Sequence, residues 1–336
     1  LRQIRERARG DQGIALPATL PAADTLRSRF TQRLGFSLTG GQQAALADID
    51  ADLAQPHAMM RLVQGDVGCG KTVVAAAAAL TAIAHGHQVA VMAPTELLAE
   101  QHRNTFQRWF EPLGVKVVWL SGSLRKRARA QAHAAAADGS AQLLVGTHAL
   151  FQSDLAYRSL ALVIVDEQHR FGVHQRLQLM DKGVRDAARP HQLVMTATPI
   201  PRTLAMTLYA DLDTSVIREL PPGRKPVTTV ALPERRRAEV VARVRDACRS
   251  GAQAYWVCPL IEESDHLESQ AAEPTAAALA EALPDIRIGV IHGRMSSTDK
   301  EQVMKAFVAG ELQLLVATTV IEVGVDVPSA SLMIIE

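Results

Sequence analysis

The chain has 336 residues, with 36 basic and 35 acidic side chains and a formal net charge of +1. This balance excludes a polybasic or an acidic tail protein, so any nucleic-acid binding must come from local basic patches. The length allows two or three domains. Aromatic residues make up only 4%, which argues against base-stacking platforms as the main binding device.

The cysteine content, the length of the apolar runs and the two chain ends further limit which classes of protein are possible. The 3 cysteines never approach CxxC spacing, which indicates neither a zinc site nor a disulfide framework and favours a reducing, cytoplasmic compartment. The longest apolar run, residues 73–84, is too short to span a bilayer, so we expect no membrane association. The chain starts without Met and stops inside the apolar run SLMIIE, and we therefore expect a piece of a longer protein.

The predicted elements describe two α/β domains. Residues 1–30 are basic and contain prolines, and we predict a segment connecting to a preceding domain. Continuous apolar runs then alternate with helical stretches, which is typical of parallel strands buried on both faces. The strands predicted for a first domain, 31–218, are residues 59–63, 89–93, 115–120, 142–145, 160–165 and 191–195. Those of a second domain, 227–336, are residues 254–257, 287–291, 312–317 and 332–335.

The segment 219–226, ELPPGRKP, is rich in Pro and Gly and is predicted to link the two domains. Because the second domain stops inside a strand, we expect it to be incomplete.

A phosphate-binding loop is predicted at GDVGCGKT, residues 65–72, which fits GxxxxGK[ST] between an apolar strand and a helical run. Glycines let backbone N–H groups turn toward phosphate oxygens, and a helix N-terminus adds positive potential. We expect Lys71 to reach the β and γ phosphates and the Thr72 hydroxyl to ligate Mg²⁺. The nucleotide-binding residues predicted here are Gly65, Asp66, Val67, Gly68, Cys69, Gly70, Lys71 and Thr72. The alternative is a glycine-rich turn without a ligand.

A second site is predicted where the apolar run 162–165 ends in Asp166 and Glu167. The carboxyl ends of parallel strands are where ligands bind. Asp166 is suited to hold Mg²⁺, mostly through water, and Glu167 to orient and deprotonate the water that attacks the γ-phosphate. A solvated strand end is the alternative. Together with the loop, the pair predicts a nucleoside-triphosphate hydrolase whose catalytic residues are Glu167, Lys71 and Asp166.

Residues 166–169, DEQH, resemble the motif that names the DExH branch of superfamily 2 helicases. Further stretches follow in that superfamily's order: APTE (93–96), GTH (146–148), TAT (196–198), HGR (292–294), ATT (317–319) and GVDVP (324–328). Longer strings such as RLVQGDVGCGKT, MAPTELLAEQH and VATTVIEVGVDVP are similar to the RecG family of bacterial branch-migration helicases. Transcription-repair coupling translocases share HRFGV and TATPIPRTL. In them we expect a second Glu at the position of Gln168 and no counterpart of VCPLIEES.

The resemblance implies residue roles. The adenine-recognising motif would comprise Phe36, Thr39 and Gln42. DNA contacts would come from Pro94, Thr95, Glu96, Gly122, Thr147, His148, Thr318 and Thr319. Coupling of hydrolysis to DNA would involve Gln168, His169, Thr196, Thr198, Gly324 and Asp326. Threonines of this kind can instead simply cap helices or turns. The cluster Arg125, Lys126, Arg127 and Arg129 either grips phosphates or forms the solvated face of a helix.

The resemblance also implies two RecA-like domains, ATP and Mg²⁺ as cofactors, and a monomeric motor acting on branched or duplex DNA. Fork reversal and Holliday-junction migration in DNA repair and recombination would follow, in the bacterial cytoplasm at the nucleoid. The family's final motif, QxxGRxGR, and its N-terminal wedge domain have no counterpart here, so we expect slow hydrolysis. The rival classes are a phosphate-loop kinase or transport ATPase, and a catalytically silent DNA-binding module.

Overall fold

The computed structural model describes residues 12–17, 21–167, 188–197, 212–219, 227–258, 265–318, 325 and 327–336. The chain divides into two units, Leu1–Lys225 and Pro226–Glu336. Each unit is a parallel sheet with helices and is described below by itself.

The first unit is built on a sheet whose strands are separated by helices. Its strands are β1 (Gln12–Gly13), β2 (Met60–Gly65), β3 (Gln88–Met92), β4 (Val117–Leu120), β5 (Leu143–Gly146), β6 (Leu160–Asp166), β7 (Ala188–Arg189), β8 (His191–Thr196) and β9 (Asp213–Ile217). Seven of them form one parallel sheet in the order β4-β5-β3-β6-β8-β2-β9, and β1 pairs with β7. Every pairing in this sheet is parallel.

The strand register determines what meets at the carboxyl edge of this sheet. Asp166 at the end of β6 is opposite Met195 on β8, and Thr196 on β8 is opposite Gln64 on β2. The ends of β6, β8 and β2 therefore lie at one edge. Since neighbouring strands are about 4.8 Å apart, the residues that follow β2 and β6 are roughly 10 Å apart along that edge.

The helices of the first unit are α1 (Pro21–Arg33), α2 (Gly40–Leu53), α3 (Lys71–Ala84), α4 (Glu96–Phe110) and α5 (Lys126–Ala137). Alanine-rich α3 is buried along nearly its whole length, because its small side chains allow neighbouring elements to approach closely. Phe106 and Phe110 of α4 pack edge-to-face in the core, and Phe30 of α1 joins them. Leu16 lies in the same core. The described part of the predicted connecting segment 1–30 thus packs on the first unit.

The second unit has a smaller parallel sheet in the order β11-β12-β10-β13. Its strands are β10 (Gln253–Val257), β11 (Ile288–Ile291), β12 (Leu314–Ala317) and β13 (Ala330–Ile335), and its helices are α6 (Arg237–Arg249), α7 (Asp265–Ala282) and α8 (Ser297–Val308). Trp256, Leu279 and Leu314 form part of a core between sheet and helices. Among the described residues, no helix is both long enough and apolar enough to cross a membrane.

The predicted fold class is confirmed: two α/β units, each with a parallel sheet flanked by helices. All ten predicted apolar runs contain strands, with ends shifted by a few residues. The strand β9 was not predicted, because its residues DTSVI alternate between exposed and buried instead of forming an apolar run. The domain bounds stay a prediction, and most of the predicted linker 219–226 lies outside the described residues.

Candidate nucleotide-binding and hydrolysis site

The predicted phosphate loop connects β2 to α3 in a tight turn. Gly68 and Gly70 adopt left-handed φ angles of 77° and 87°, a region that favours glycine. A Cβ on Gly65 would lie 2.5 Å from Cys69 Sγ, and one on Gly70 would lie 2.2 Å from Gln42 Nε2. The glycines of the motif are therefore needed both for backbone conformation and for close packing around the loop.

The predicted adenine motif contacts this loop directly. Gln42 is 1% exposed, and its Nε2 donates to the carbonyl oxygen of Cys69 at 2.8 Å. Its Oε1 accepts from the Thr39 amide at 2.9 Å, while the Gln42 amide donates to Thr39 Oγ1 at 3.3 Å. This reciprocal pair is a capping box at the start of α2. Phe36 is 51% exposed, which leaves its ring face open to a ligand.

Lys71 bends back over the start of the loop. Its Nζ donates to the carbonyl oxygens of Gly65 at 2.6 Å and Asp66 at 3.1 Å. Asp66 Oδ1 accepts from the Val67 amide at 2.7 Å. Burial raises the pKa of the Cys69 thiol above its usual value, so the thiol stays protonated at neutral pH. The Lys71 ammonium is thus held at the loop by two backbone carbonyl oxygens.

Glu167 is held in a specific orientation beside the end of β6. It is 3% exposed and has a φ of 49°, which is unusual for a residue other than glycine. Thr196 Oγ1 donates to Oε2 at 3.1 Å, and the Ala197 amide donates to Oε1 at 3.0 Å. Sparsely populated backbone conformations persist where surrounding contacts enforce them, often at functional sites. The predicted base and the predicted coupling residue Thr196 are therefore in direct contact.

Asp166 accepts a hydrogen bond from a residue that the sequence analysis missed. His102 Nε2 lies 2.7 Å from Asp166 Oδ2. His102 belongs to the string MAPTELLAEQH, and the i, i+4 spacing from Leu98 through His102 to Phe106 places it on the buried face of α4. That spacing was the available signal, but it does not reveal the partner, which is 64 residues away.

The residues present fit Mg²⁺. The Thr72 hydroxyl and the Asp166 carboxylate are hard oxygen donors at the edge where β2 and β6 end. Within the described part of the chain, no cluster of three or more His, Cys, Asp or Glu side chains could hold a metal alone. Mg²⁺ usually takes one or two protein ligands and completes its shell with nucleotide phosphates and water.

The predicted DNA contacts of the first unit lie on the other half of the same edge. Pro94 follows β3, Gly122 follows β4 and Thr147 follows β5. Glu96 accepts from the Ser123 amide at 3.2 Å and from Ser123 Oγ at 2.7 Å, which ties the start of α4 to the Ser121–Gly122–Ser123 turn. Thr95 caps α4 by accepting from the Leu98 amide, and His148 begins the short helix His148–Phe151.

Thr318 lies at the corresponding edge of the second unit, immediately after β12. It is fully buried, and its hydroxyl has no hydrogen-bond partner among the described residues. The remaining predicted site residues lie outside the described residues: Gln168, His169, Thr198, Thr319, Gly324 and Asp326.

A glycine loop between a strand and a helix, with an acidic pair on the same sheet edge, defines the class of phosphate-loop nucleotide-binding proteins. The family model for DEAD/DEAH box helicases matches residues 39–207, and that for the helicase conserved C-terminal domain matches residues 239–336. The chain belongs to the DEAD/DEAH box helicase family.

The chain is also similar to individual RecG helicases. It is 63% identical over 318 residues to the ATP-dependent DNA helicase RecG of Escherichia coli O157:H7, which covers 94% of this chain and 46% of that protein. For the RecG of Pasteurella multocida the identity is 61% over 312 residues, covering 93% and 45%. A solved structure of RecG bound to a three-way DNA junction superposes with a TM-score of 0.84 at 38% identity, covering 99% of this chain and 42% of that chain.

The predicted resemblance to RecG is therefore confirmed. The chain spans less than half of the length of these relatives.

Proposed function

We propose that this chain is the motor core of an ATP-dependent DNA helicase, and that the whole protein remodels branched DNA by fork reversal and Holliday-junction migration. The observation that carries the proposal is the Glu167 carboxylate, held by Thr196 and Ala197 at the sheet edge that also carries the phosphate loop. The similarity to RecG proteins supports the branched substrate. It does not favour the alternative of a transcription-repair coupling translocase.

ATP would bind at the loop, with its phosphates on the loop amides and Lys71. The capping box of Thr39 and Gln42, together with Phe36, would form the adenine side of the site. Thr72 and Asp166 would hold Mg²⁺, which supplies charge neutralisation at the β and γ phosphates when bound. These assignments are supported by the position of the loop after β2 and of Asp166 at the end of β6, at one edge of the sheet, and by the hydrogen bond from Gln42 to Cys69.

Glu167 would act as the base. Its two carboxylate oxygens already accept hydrogen bonds from Thr196 and Ala197, so its orientation is set before a substrate arrives. A base held in this way can orient the attacking water and take its proton onto a carboxylate oxygen. Because Thr196 is the last residue of the adjacent strand β8, a shift at the end of β8 would change the position of the base. We propose this contact as one element of coupling, together with Gln168, His169, Thr198, Gly324 and Asp326.

DNA would be contacted by Pro94, Thr95, Glu96, Gly122, Thr147 and His148 in the first unit and by Thr319 in the second. Thr318, whose side chain is fully buried, would contribute through its backbone. Arg125 and Arg127, both exposed near the Gly122 turn, add positive charge there. Contacts of this kind address the phosphate backbone, so binding should weaken with salt and show little sequence preference.

We further propose a monomeric motor that works on the bacterial nucleoid in the cytoplasm, in DNA repair and recombination.

The test is the ATPase rate of the whole protein with linear and with forked duplex DNA. We expect stimulation by forks, its loss in Lys71→Ala, and its retention in the matched control Lys116→Ala, which lies before β4 at the opposite sheet edge. ATPase activity that does not depend on DNA would favour a kinase or transport ATPase instead. Failure to bind nucleotide in calorimetry would favour a silent DNA-binding module.

A further inference from the structure

His102 and Asp166 form a hydrogen-bonded pair in a nearly closed environment. His102 Nε2 is 2.7 Å from Asp166 Oδ2, and the two side chains are 11% and 15% exposed. A carboxylate oxygen only accepts hydrogen bonds, whereas an imidazole N–H donates. The hydrogen therefore sits on Nε2 and points at the carboxylate.

The imidazole ring is fixed by the core and not only by this hydrogen bond. His102 is one turn before Phe106 on α4, and the two ring centroids are 6.3 Å apart at an interplanar angle of 45°. Phe106 is fully buried and packs edge-to-face on Phe110 and Trp109. A donor attached to so rigid a cluster restricts the rotation of the carboxylate that accepts from it.

We propose that His102 is a positioning residue for Asp166, which it orients toward the Mg²⁺ that accompanies the nucleotide. The inference rests on the proposed function, since that function makes Asp166 a metal-holding residue. Carboxylates that ligate metals are commonly held by a second hydrogen-bonding group, and loss of that group typically reduces metal affinity by about 10–100-fold. His102 has the geometry of such a group.

The test uses two variants of the full 336-residue chain. His102→Phe keeps an aromatic ring against Phe106 but removes the donor, whereas His102→Gln keeps an N–H donor. The probe is a fluorescent ADP analogue, titrated once with Mg²⁺ and once with EDTA. The ratio of the two affinities reports how well the site uses the metal, without requiring hydrolysis.

We expect wild type to bind the analogue more tightly with Mg²⁺ than in EDTA. In His102→Phe, the ratio of these two affinities should fall by roughly tenfold or more. The affinity of this variant in EDTA should equal that of wild type, and His102→Gln should recover part of the gain. His133→Phe, a half-buried histidine on α5, is the matched control and should behave as wild type. If His102→Phe fails to fold, as judged by circular dichroism, His102→Leu replaces it.

An unchanged Mg²⁺ gain in His102→Phe or His102→Leu would overturn the positioning role while leaving the proposed function intact. Equal weakening in Mg²⁺ and in EDTA would also overturn it, because that is the result of a merely structural role. If wild type itself gained nothing from Mg²⁺, the proposed function would fail, and the inference with it.

Discussion

Gln42 donates from its side-chain nitrogen to the carbonyl oxygen of Cys69, 2.8 Å away, and thereby joins the first turn of α2 to the phosphate loop. The side chain that the family pattern assigns to adenine recognition thus also supports the backbone of the loop. The two segments are separated by 27 residues in the chain.

Replacing Gln42 by Ala should weaken nucleotide binding. The Cys69 carbonyl would lose its buried donor, and an unpaired buried polar group costs about 1–3 kcal/mol. If that cost falls on the loop conformation that binds nucleotide, ADP affinity should fall roughly 5- to 150-fold, as measured by calorimetric titration. The matched control is Gln43→Ala on the exposed side of the same helix, where the side chain donates to the Leu38 carbonyl. Equal losses in the two variants would contradict the role of the Cys69 contact.

A pair of glycine substitutions separates backbone strain from steric clash. Gly70 and Gly86 have similar left-handed φ angles of 87° and 81°. A Cβ at Gly70 would lie 2.2 Å from Gln42 Nε2, whereas one at Gly86 would meet nothing within 4 Å. Left-handed strain costs about 1–2 kcal/mol for an L residue. We expect both Gly→Ala variants to lose about this much stability, and Gly70→Ala also to lose nucleotide binding.

Chemical denaturation and ADP titration measure the two effects. Normal ADP affinity in Gly70→Ala would show that the loop accommodates a methyl group, against the close packing described above.

Glu167→Gln should separate binding from hydrolysis. The amide has the shape of the carboxylate and can still accept from the Ala197 amide, while its nitrogen donates to the Thr196 hydroxyl. It cannot take a proton from water. General-base catalysis contributes about 10²–10⁴-fold, so phosphate release should fall by that factor while ADP affinity stays unchanged. Glu111→Gln, exposed at the end of α4, is the control. Wild-type phosphate release in Glu167→Gln would exclude this residue as the base.

His191 makes stability depend on pH. The residue is fully buried, with Nδ1 accepting from the Met59 amide at 2.9 Å and Nε2 donating to the Ile14 carbonyl at 2.6 Å. The Met59 contact requires the neutral ring, because a protonated Nδ1 cannot accept a hydrogen bond. Burial is the main cause that lowers the pKa of His191 below its ordinary 6.5, outweighing the Ile14 hydrogen bond and the charge of Asp52. Burial also lowers the pKa of His87, so both act in the same direction.

As the pH falls below 6.5, the unfolded chain takes up the proton first, so the free energy of unfolding decreases. The loss levels off once the pH is below the pKa in the folded state, and above 6.5 these groups contribute no slope. Urea unfolding at a series of pH values measures this. His191→Gln, which can accept from Met59 and donate to Ile14, should give a flatter profile. An identical slope in wild type and variant would rule out His191 as a source.

The strands that could be predicted are those buried on both faces. The run 160–165 corresponds to β6 because a central parallel strand needs apolar side chains on each side. Strand β9 could not be found in this way, because it pairs only with β2 among the described strands and exposes every second residue. Two-residue strands such as Gln12–Gly13 are too short to show any period.

The residues of the candidate site also fall into those that sequence patterns predict and those that they do not. The phosphate loop and the acidic pair were predictable because each is a short continuous segment whose residues act together. The partners that orient them were not, since they come from distant parts of the chain. His102, for example, reaches Asp166 across 64 residues. Such contacts depend on how helices pack on the sheet, which motif spacing does not encode.

Helix α4 touches both halves of the carboxyl edge. Its first residue, Glu96, holds the turn after β4, and His102, about 9 Å further along the axis, holds the carboxylate at the end of β6. A straight helix transmits displacement along its length with little compression. A displacement of Glu96 would therefore also displace His102, and with it the Asp166 carboxylate that His102 contacts. In the proposed function, α4 would connect DNA bound near the turn after β4 to the Asp166 carboxylate that would hold Mg²⁺.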